Sequence, residues 1–349
     1  MVDILSAIGT PAALLHLAHV ADKSRFEEAK KHARETLEQV AAAQGLTTDE
    51  LADRTVPDLE LDGDGTATLD FGARKFKVTF DEGLHPVVQS EDGTRLPSFP
   101  RATKTDDAAL AKAASARFKG LKADAETVAQ SLLRRFEIAM VKNRSWSASA
   151  FREYVVGHPL VTHLARRLVW SSSAGAFRVA EDGSFADAND AEYTLADDAT
   201  VTLPHPLVLG AEQVTKWSSI VSDYGVVQPF EQLGRATYVP GEDANAQKLE
   251  RFANRKSKAG PLMGSLDSRG WQKWPDETSL SSAGKTLRTK SGGEAHVSLY
   301  FTPGIDLGDV AGSPEQVFQA PTLRGAASFG EVAPVDYSEL VRDLEYLGH

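Results

Sequence analysis

Cysteine is absent from this chain of 349 residues, and methionine occurs only three times. The first absence excludes disulfides, thiolate metal centres, iron–sulfur clusters and cysteine nucleophiles together. No apolar run approaches the roughly 18–20 residues a membrane-spanning helix needs. The start, Met1-Val-Asp-Ile-Leu-Ser-Ala7, lacks the basic segment and long apolar core of a secretion signal. No dinucleotide-binding glycine fingerprint, zinc-protease motif or nucleophile elbow is found. A cytoplasmic setting is therefore expected, with no membrane partner, and nothing in the sequence asks for a cofactor or a metal.

What is present suffices for a buried core: 42% of residues are hydrophobic and 25% charged. The net charge of −11 argues against a general polyanion binder. Its distribution is uneven. Residues 101–170 hold 13 Lys and Arg against 6 Asp and Glu, residues 181–243 hold 2 against 12, and residues 245–290 hold 10 against 4. Such alternation implies either internal charge complementarity or separate faces for separate partners. Gly9-Thr10-Pro11 runs directly into a helix, so the chain reads as a fragment of a longer protein, with any helical repeats lying upstream of residue 1.

The first elements read as helices. Thr10-Pro11 opens one, Ser24 caps a second from Arg25 to about Gln44, and Thr47-x-x-Glu50 is a capping box for a third. From Leu59 the apolar period changes to two. Thr66–Phe71 and Lys75–Phe80 predict a hairpin, and Pro86–Gln89 with the Asp92-Gly93 turn extends it to a β-meander at about 60–100. Helical periodicity returns from Asp106 to about Asn143, and Ser147 caps a further helix that ends at Gly157. His158-Pro159 opens a basic amphipathic stretch whose stripe is Leu160, Val161, Leu164, Leu168 and Val169. After Trp170 the pattern is strand-like, with an Asp182-Gly183 turn. Further helices are expected over Gly210–Asp223, with Val214, Trp217 and Val221 inward, over Ala244 to about Lys256, and over Asp336–Leu347. Residues 278–293 read as a mobile loop, and His296–Phe301 as a strand. The fold class is α+β: a helical N-terminal region with an inserted β-meander over 1–157, then a mixed antiparallel-sheet domain over 158–349.

Candidate sites are few. Gln228, Glu231, Gln232 and Arg235 form the densest polar cluster, which reads either as a ligand-binding loop or as a buried ion pair pinning that loop. Arg269-Gly270-Trp271 could set a guanidinium and an indole beside a pocket, or anchor a turn. Arg134, Arg135, Arg166 and Arg167, with Lys119, Lys122, Lys142 and Arg144, could form a phosphate-contacting face or simply solvate helices. His158 and His163 are five apart and His16 and His19 lack a third ligand, so no metal site is expected. Gly284-Lys285-Thr286 matches the end of a P-loop, but Ser279 stands where its first glycine belongs.

Several blocks resemble a known family: His158-Pro-Leu-Val through Trp170, Ala180-Glu-Asp-Gly183, His205-Pro-Leu207, Asp223-Tyr-Gly-Val-Val-Gln-Pro-Phe-Glu-Gln-Leu-Gly-Arg235, Arg269-Gly-Trp271 and Ser338–Asp343. They are similar to the C-terminal domain of bacterial MolR-like (molybdate metabolism regulator-like) proteins, domain of unknown function 4132, often paired with a WGR domain. Arg269-Gly270-Trp271 reverses the WGR tripeptide and is not read as it. The resemblance implies a module at the end of a larger cytoplasmic bacterial protein, next to upstream domains of the same polypeptide. Two expectations follow. The leading one is a non-enzymatic interaction module that binds a protein partner or nucleic acid. The alternative is an enzyme or small-ligand domain in which Glu231, Arg235, Arg269 and Trp271 converge.

Overall fold

A computed structural model of the chain describes residues 1–24, 26–81 and 83–348. The fold is α+β, as the periodicities predict. The chain divides into two compact units: residues 1–204 with 212–233, and residues 205–211 with 234–349. Among the described residues no helix is long and apolar enough to cross a membrane.

The first unit begins with α1 (Val2–Ile8), α2 (Pro11–Lys23), α3 (Glu27–Ala43) and α4 (Thr48–Arg54). Thr10 Oγ1 accepts from Ala13 N at 3.3 Å, and Thr47 and Glu50 form the reciprocal capping box. The predicted start of α3 at Arg25 lies outside the described residues. Leu14, Leu17, Ala33 and Leu51 bury where these helices meet.

The meander follows as β1 (Ala67–Asp70), β2 (Lys75–Phe80) and β3 (Pro86–Gln89), paired antiparallel in that order. Strand alternation buries Leu69, Phe76 and Val78. The 35-residue helix α5 (Ala108–Lys142) contributes Leu121, Ala125, Val128, Leu132 and Phe136 to the same core. Asp107 caps its start, and Asn143, left-handed at φ 53°, closes its end.

A five-stranded sheet completes the unit, ordered β4 (Ser145–Ser147), β8 (Thr200–Thr202), β5 (Val169–Ser172), β6 (Gly175–Val179) and β7 (Phe185–Ala186). Between β4 and β5 the chain forms the short α6 (Ala148–Ala150), a π-helical stretch over Phe151–Val156, and α7 (Thr162–Ala165). The amphipathic helix expected from His158 is thus only one turn. His158 Nδ1 accepts from Leu160 N at 3.1 Å in the turn that precedes α7, and Val169 and Trp170 leave for the sheet. The Trp170 indole donates back to Ala165 O at 2.9 Å and packs edge-on against Phe136, Trp146 and Phe151.

His205 caps α8 (Pro206–Leu209), accepting from Leu207 N at 3.2 Å, and α8 belongs to the second unit. In both His-Pro-Leu triplets the histidine Nδ1 accepts from the backbone N–H two residues on, but only His205 is the N-cap of a helix, with proline at its first turn. From Glu212 onward, α9 (Ala211–Asp223) belongs to the first unit.

The second unit is built on β10 (Gln272–Pro275), β11 (Ser279–Arg288), β12 (Glu294–Asp306), β13 (Gln316–Phe318) and β9 (Lys256–Ser257) in that spatial order, with β14 (Thr322–Arg324) on β12. Helices α10 (Ala259–Ser268) and α11 (Pro334–Leu347) supply Leu262, Leu266, Tyr337, Leu340 and Leu344 to its core.

Two expectations fail here. Residues 278–293 are not a loop: Ser, Thr and Gly there make strand β11, in register with β12 from Arg288↔Glu294 to Ser282↔Tyr300. Small residues suit it because the Trp274 ring lies on Gly284, where an added Cβ would come within 2.2 Å of the indole. Nor is 244–256 a helix. Its backbone turns twice in 3₁₀ geometry, and Leu249 and Asn254 donate to Pro321 and Phe318 carbonyls instead.

Candidate functional site

The arginines singled out from sequence go to different places. Arg134 is half-buried on α5. Arg135 and Arg144 turn onto the buried Asp53 carboxylate, which also accepts from Trp146 Nε1 at 2.7 Å. Arg166 and Arg167 instead line a cavity of about 660 Å³ in the first unit.

Besides Phe80 and Asp81 at the end of β2, three pieces of chain enclose this cavity. The first is the turn after α7, which carries Arg166 and Arg167. The second is β6 with its hairpin turn, carrying Arg178, Glu181 and Asp182. The third is α9 and the residues after it, carrying Trp217, Ile220, Val221 and Tyr224. The α9 positions recur at three- and four-residue spacing, so all four lie on one helical face.

Each cation is positioned differently. Arg167 Nε donates to His163 O at 3.0 Å and Nη1 to Val227 O at 3.3 Å, tying the two rims together. Arg178 lies over the Tyr224 ring, 4.5 Å from its centroid, and pairs with Asp190 at 3.0 Å, which also accepts from Tyr224 OH. The Arg166 side chain is half-buried and makes no ion pair or hydrogen bond with any described residue, and its Nε is fully enclosed. The indole Nε1 of Trp217, a residue with no exposed surface, and Arg178 Nε are buried without a protein acceptor as well. An indole N–H can only donate. A buried donor left unmade costs about 1–3 kcal/mol, and these three enclosed donors belong to residues that line one cavity.

His163 is held neutral at ordinary pH, because burial and then the charges of Arg166 and Arg167 press its pKa down. Its Nε2 faces Gly65, whose φ of +72° and contact with Pro159 O leave no room for a Cβ. The carboxylates at the mouth are already engaged. Asp182 Oδ1 accepts from Ser184 N at 2.9 Å and Oγ at 2.6 Å, which lowers its pKa. Burial pushes Asp81 up, but the backbone donors His85 N and Gly83 N outweigh it and keep it low. Groups held firmly ionised are poor proton shuttles near neutral pH. Asp81 and Asp182 are therefore not placed to shuttle protons near neutral pH. Among the described residues no cluster of His, Asp and Glu is placed to hold a metal.

None of Gln228, Glu231, Gln232, Arg235, Arg269 and Trp271 lines this cavity. Gln232 is fully buried, its amide donating to Val169 O at 2.7 Å and accepting from Val169 N at 2.9 Å, in the place of a neighbouring strand. Gln228 Nε2 donates to Gln232 Oε1 at 3.1 Å, and Glu231 is exposed. In the second unit Arg235 forms a two-point ion pair with Glu339, at 2.7 and 2.5 Å, and His205 Nε2 meets the same carboxylate at 3.3 Å. Arg269, Lys285 and the Trp271 indole converge on Asp343. The structure thus joins Gln228 with Gln232 and Arg269 with Trp271, and sets Arg235 one turn of α11 away, on Glu339. Lys285, from the P-loop-like triplet, is mid-strand and spent on Asp343.

Of the cavity, the sequence offered the Arg166-Arg167 pair and the inward Trp217. Arg178 carries no signal of its own, since only the β5–β6 register turns it toward α9.

The family model described as "Domain of unknown function (DUF4132)" matches residues 93–271, more than half of the chain. It spans every cavity-lining residue except Phe80 and Asp81. "Uncharacterized protein YehI" of Escherichia coli (strain K12) is 32% identical over 359 aligned residues, covering 99% of this chain and 29% of that protein. The chain thus spans well under half the length of this curated relative. No solved structure matches.

Proposed function

The chain belongs to the DUF4132 family, and from that premise we propose that its first unit is a non-enzymatic binding module of a larger bacterial protein, receiving a small anionic ligand in the Arg166–Arg178–Trp217 cavity. One observation carries the reading: the half-buried Arg166 side chain, which makes no ion pair or hydrogen bond with a described residue, lines a concave cavity. A duplex is less well served, because Arg135 is spent on Asp53 and Arg166 sits in a concavity. The proposal retains the kinship with MolR-like, WGR-paired cytoplasmic proteins. That the chain is part of a larger bacterial protein is supported by the Escherichia coli relative, of which it spans 29%.

The test is calorimetric titration of the purified chain with inorganic phosphate, pyrophosphate, citrate and nucleotides, repeated on Arg166→Ala. At least one anion is expected to bind, and Arg166→Ala to weaken it roughly ten- to hundredfold, the worth of about 1.5–3 kcal/mol for a charge-assisted hydrogen bond. Equal affinity in the variant, or no heat with any anion at millimolar concentration, would contradict the reading.

A further inference from the structure

We propose that the outer face of the second unit's main sheet binds single-stranded RNA, a function separate from the cavity of the first unit. Strand alternation turns Ala283, Leu287, Val297 and Leu299 into the core. The even-numbered positions of 282–288, 294–302 and 322–324 point the other way, and none of them is aliphatic. Two exposed residues of this face are aromatic: Trp274 on β10 and Tyr300 on β12, 38% and 39% exposed. They flank β11 on either side, two inter-strand spacings or roughly 10 Å apart. Between them lie Ser282, opposite Tyr300 in register, and Gly284, on which the Trp274 ring rests.

The neighbouring chain supplies the charge. Thr322 of β14 pairs with Ser298 on one side and Lys248 on the other, and Arg324 pairs with His296. Directly opposed residues of antiparallel strands share a face, so Lys248, Arg324 and His296 stand with the aromatic pair, and all three are exposed. The Lys248 and Arg324 side chains make no ion pair or hydrogen bond with any described residue. Among the described residues the carboxylates of this face stand at the strand ends: Glu294 opposite Arg288, and Asp306, which accepts from Gly308 N at 2.8 Å. A folded protein partner is held mainly by apolar anchors in its centre, and this floor of small polar residues offers no aliphatic ones. Exposed rings beside unpaired cations instead match a single strand, whose bases stack on aromatic faces while its phosphates meet Lys and Arg. A duplex keeps its bases stacked on one another and offers none to Trp274 or Tyr300. The floor favours RNA over DNA. Gln272 and Ser282, with Thr286 bonded to His296 Nδ1 at 3.1 Å, present an amide and two hydroxyls to 2′-hydroxyls.

The experiment is fluorescence anisotropy of short labelled oligonucleotides with the whole chain, at low and at physiological salt. U-rich, A-rich, C-rich and mixed single-stranded RNAs are compared with the matching DNAs and with duplex RNA. At least one RNA should bind at low salt, tenfold or more tightly than its DNA counterpart and than the duplex. Trp274→Ala and Tyr300→Ala should each weaken it at least fivefold, the loss of one stacked base. Tyr300→Phe, which keeps the ring, should bind as the unaltered chain does. Lys248→Ala and Arg324→Ala should weaken all RNAs alike and flatten the salt dependence. The thermal midpoint verifies folding, and exposed Tyr300 decides the matter if Trp274→Ala does not fold. No RNA bound, equal affinity for single-stranded DNA or duplex, or full affinity in Tyr300→Ala would overturn the proposal, whatever the cavity of the first unit binds.

Discussion

Gln232 shows how a single polar side chain replaces an element. Strand β5 has no backbone partner at Val169 N–H and C=O on that side, and the Gln232 amide supplies donor and acceptor at once, with Pro204 O as a third contact at 3.2 Å. Buried backbone groups must be paired. Gln232→Leu is therefore expected to destabilise the first unit by about 2–4 kcal/mol, two orphaned groups' worth, as a lowered urea midpoint. Unchanged stability would show that the amide is dispensable. From sequence, this glutamine was one of four equivalent polar residues near Pro229. Only its partner, 63 residues away, gives it a structural role.

At the scale of elements, α11 organises the second unit by charge. Asp336, Glu339 and Asp343 fall at three- and four-residue spacing on one buried face. They hold Arg288, then Arg235 with His205, then Arg269 with Lys285. Burial pushes the Glu339 carboxyl up, but hydrogen bonds and charge from Arg235 and His205 outweigh it and bring the pKa to about 2, against an ordinary 4.5. A depressed carboxylate stabilises the fold fully above its unfolded pKa, and that contribution is lost as pH falls toward the folded one. The second unit should hence weaken progressively between about pH 4.5 and pH 2. Glu339→Gln should flatten that part of the pH–stability curve and cost about 3–5 kcal/mol at neutral pH, since it strands the Arg235 charge. An unaltered curve would remove Glu339 from the account.

Legibility differs between elements for a physical reason. Thr10-Pro11, the Thr47–Glu50 box and the 66–96 meander are set by local periods and caps, and they are found where the pattern places them. Strand β11 and the one-turn α7 are set by side-chain contacts that hydrophobic periodicity does not show: the Trp274 ring on Gly284, and the Gln232 amide on Val169, 63 residues away.

Across the whole molecule, the alternation of basic and acidic segments is answered inside each unit for the pairs named here. Arg152 with Asp197 links the basic and acidic segments of the first unit. In the second unit, α11 supplies the carboxylates for Arg269, Lys285 and Arg288. Arg166, half-buried and without an ion pair or hydrogen bond to a described residue, stands outside that matching. Residues 158–172 read from sequence as a basic amphipathic stretch that gives way to a strand-like pattern after Trp170. They also deliver two of the three cavity arginines.

The most direct test follows the five tryptophan indole N–H signals by nitrogen-15 NMR while nucleotide or phosphate is added. Trp217, assigned by its disappearance in Trp217→Phe, should move and saturate, while Trp271, already bonded to Asp343 at 3.1 Å, should stay in place. A Trp217 signal unmoved at saturating anion, or movement of Trp271 alone, would contradict the assignment of the cavity as the binding site.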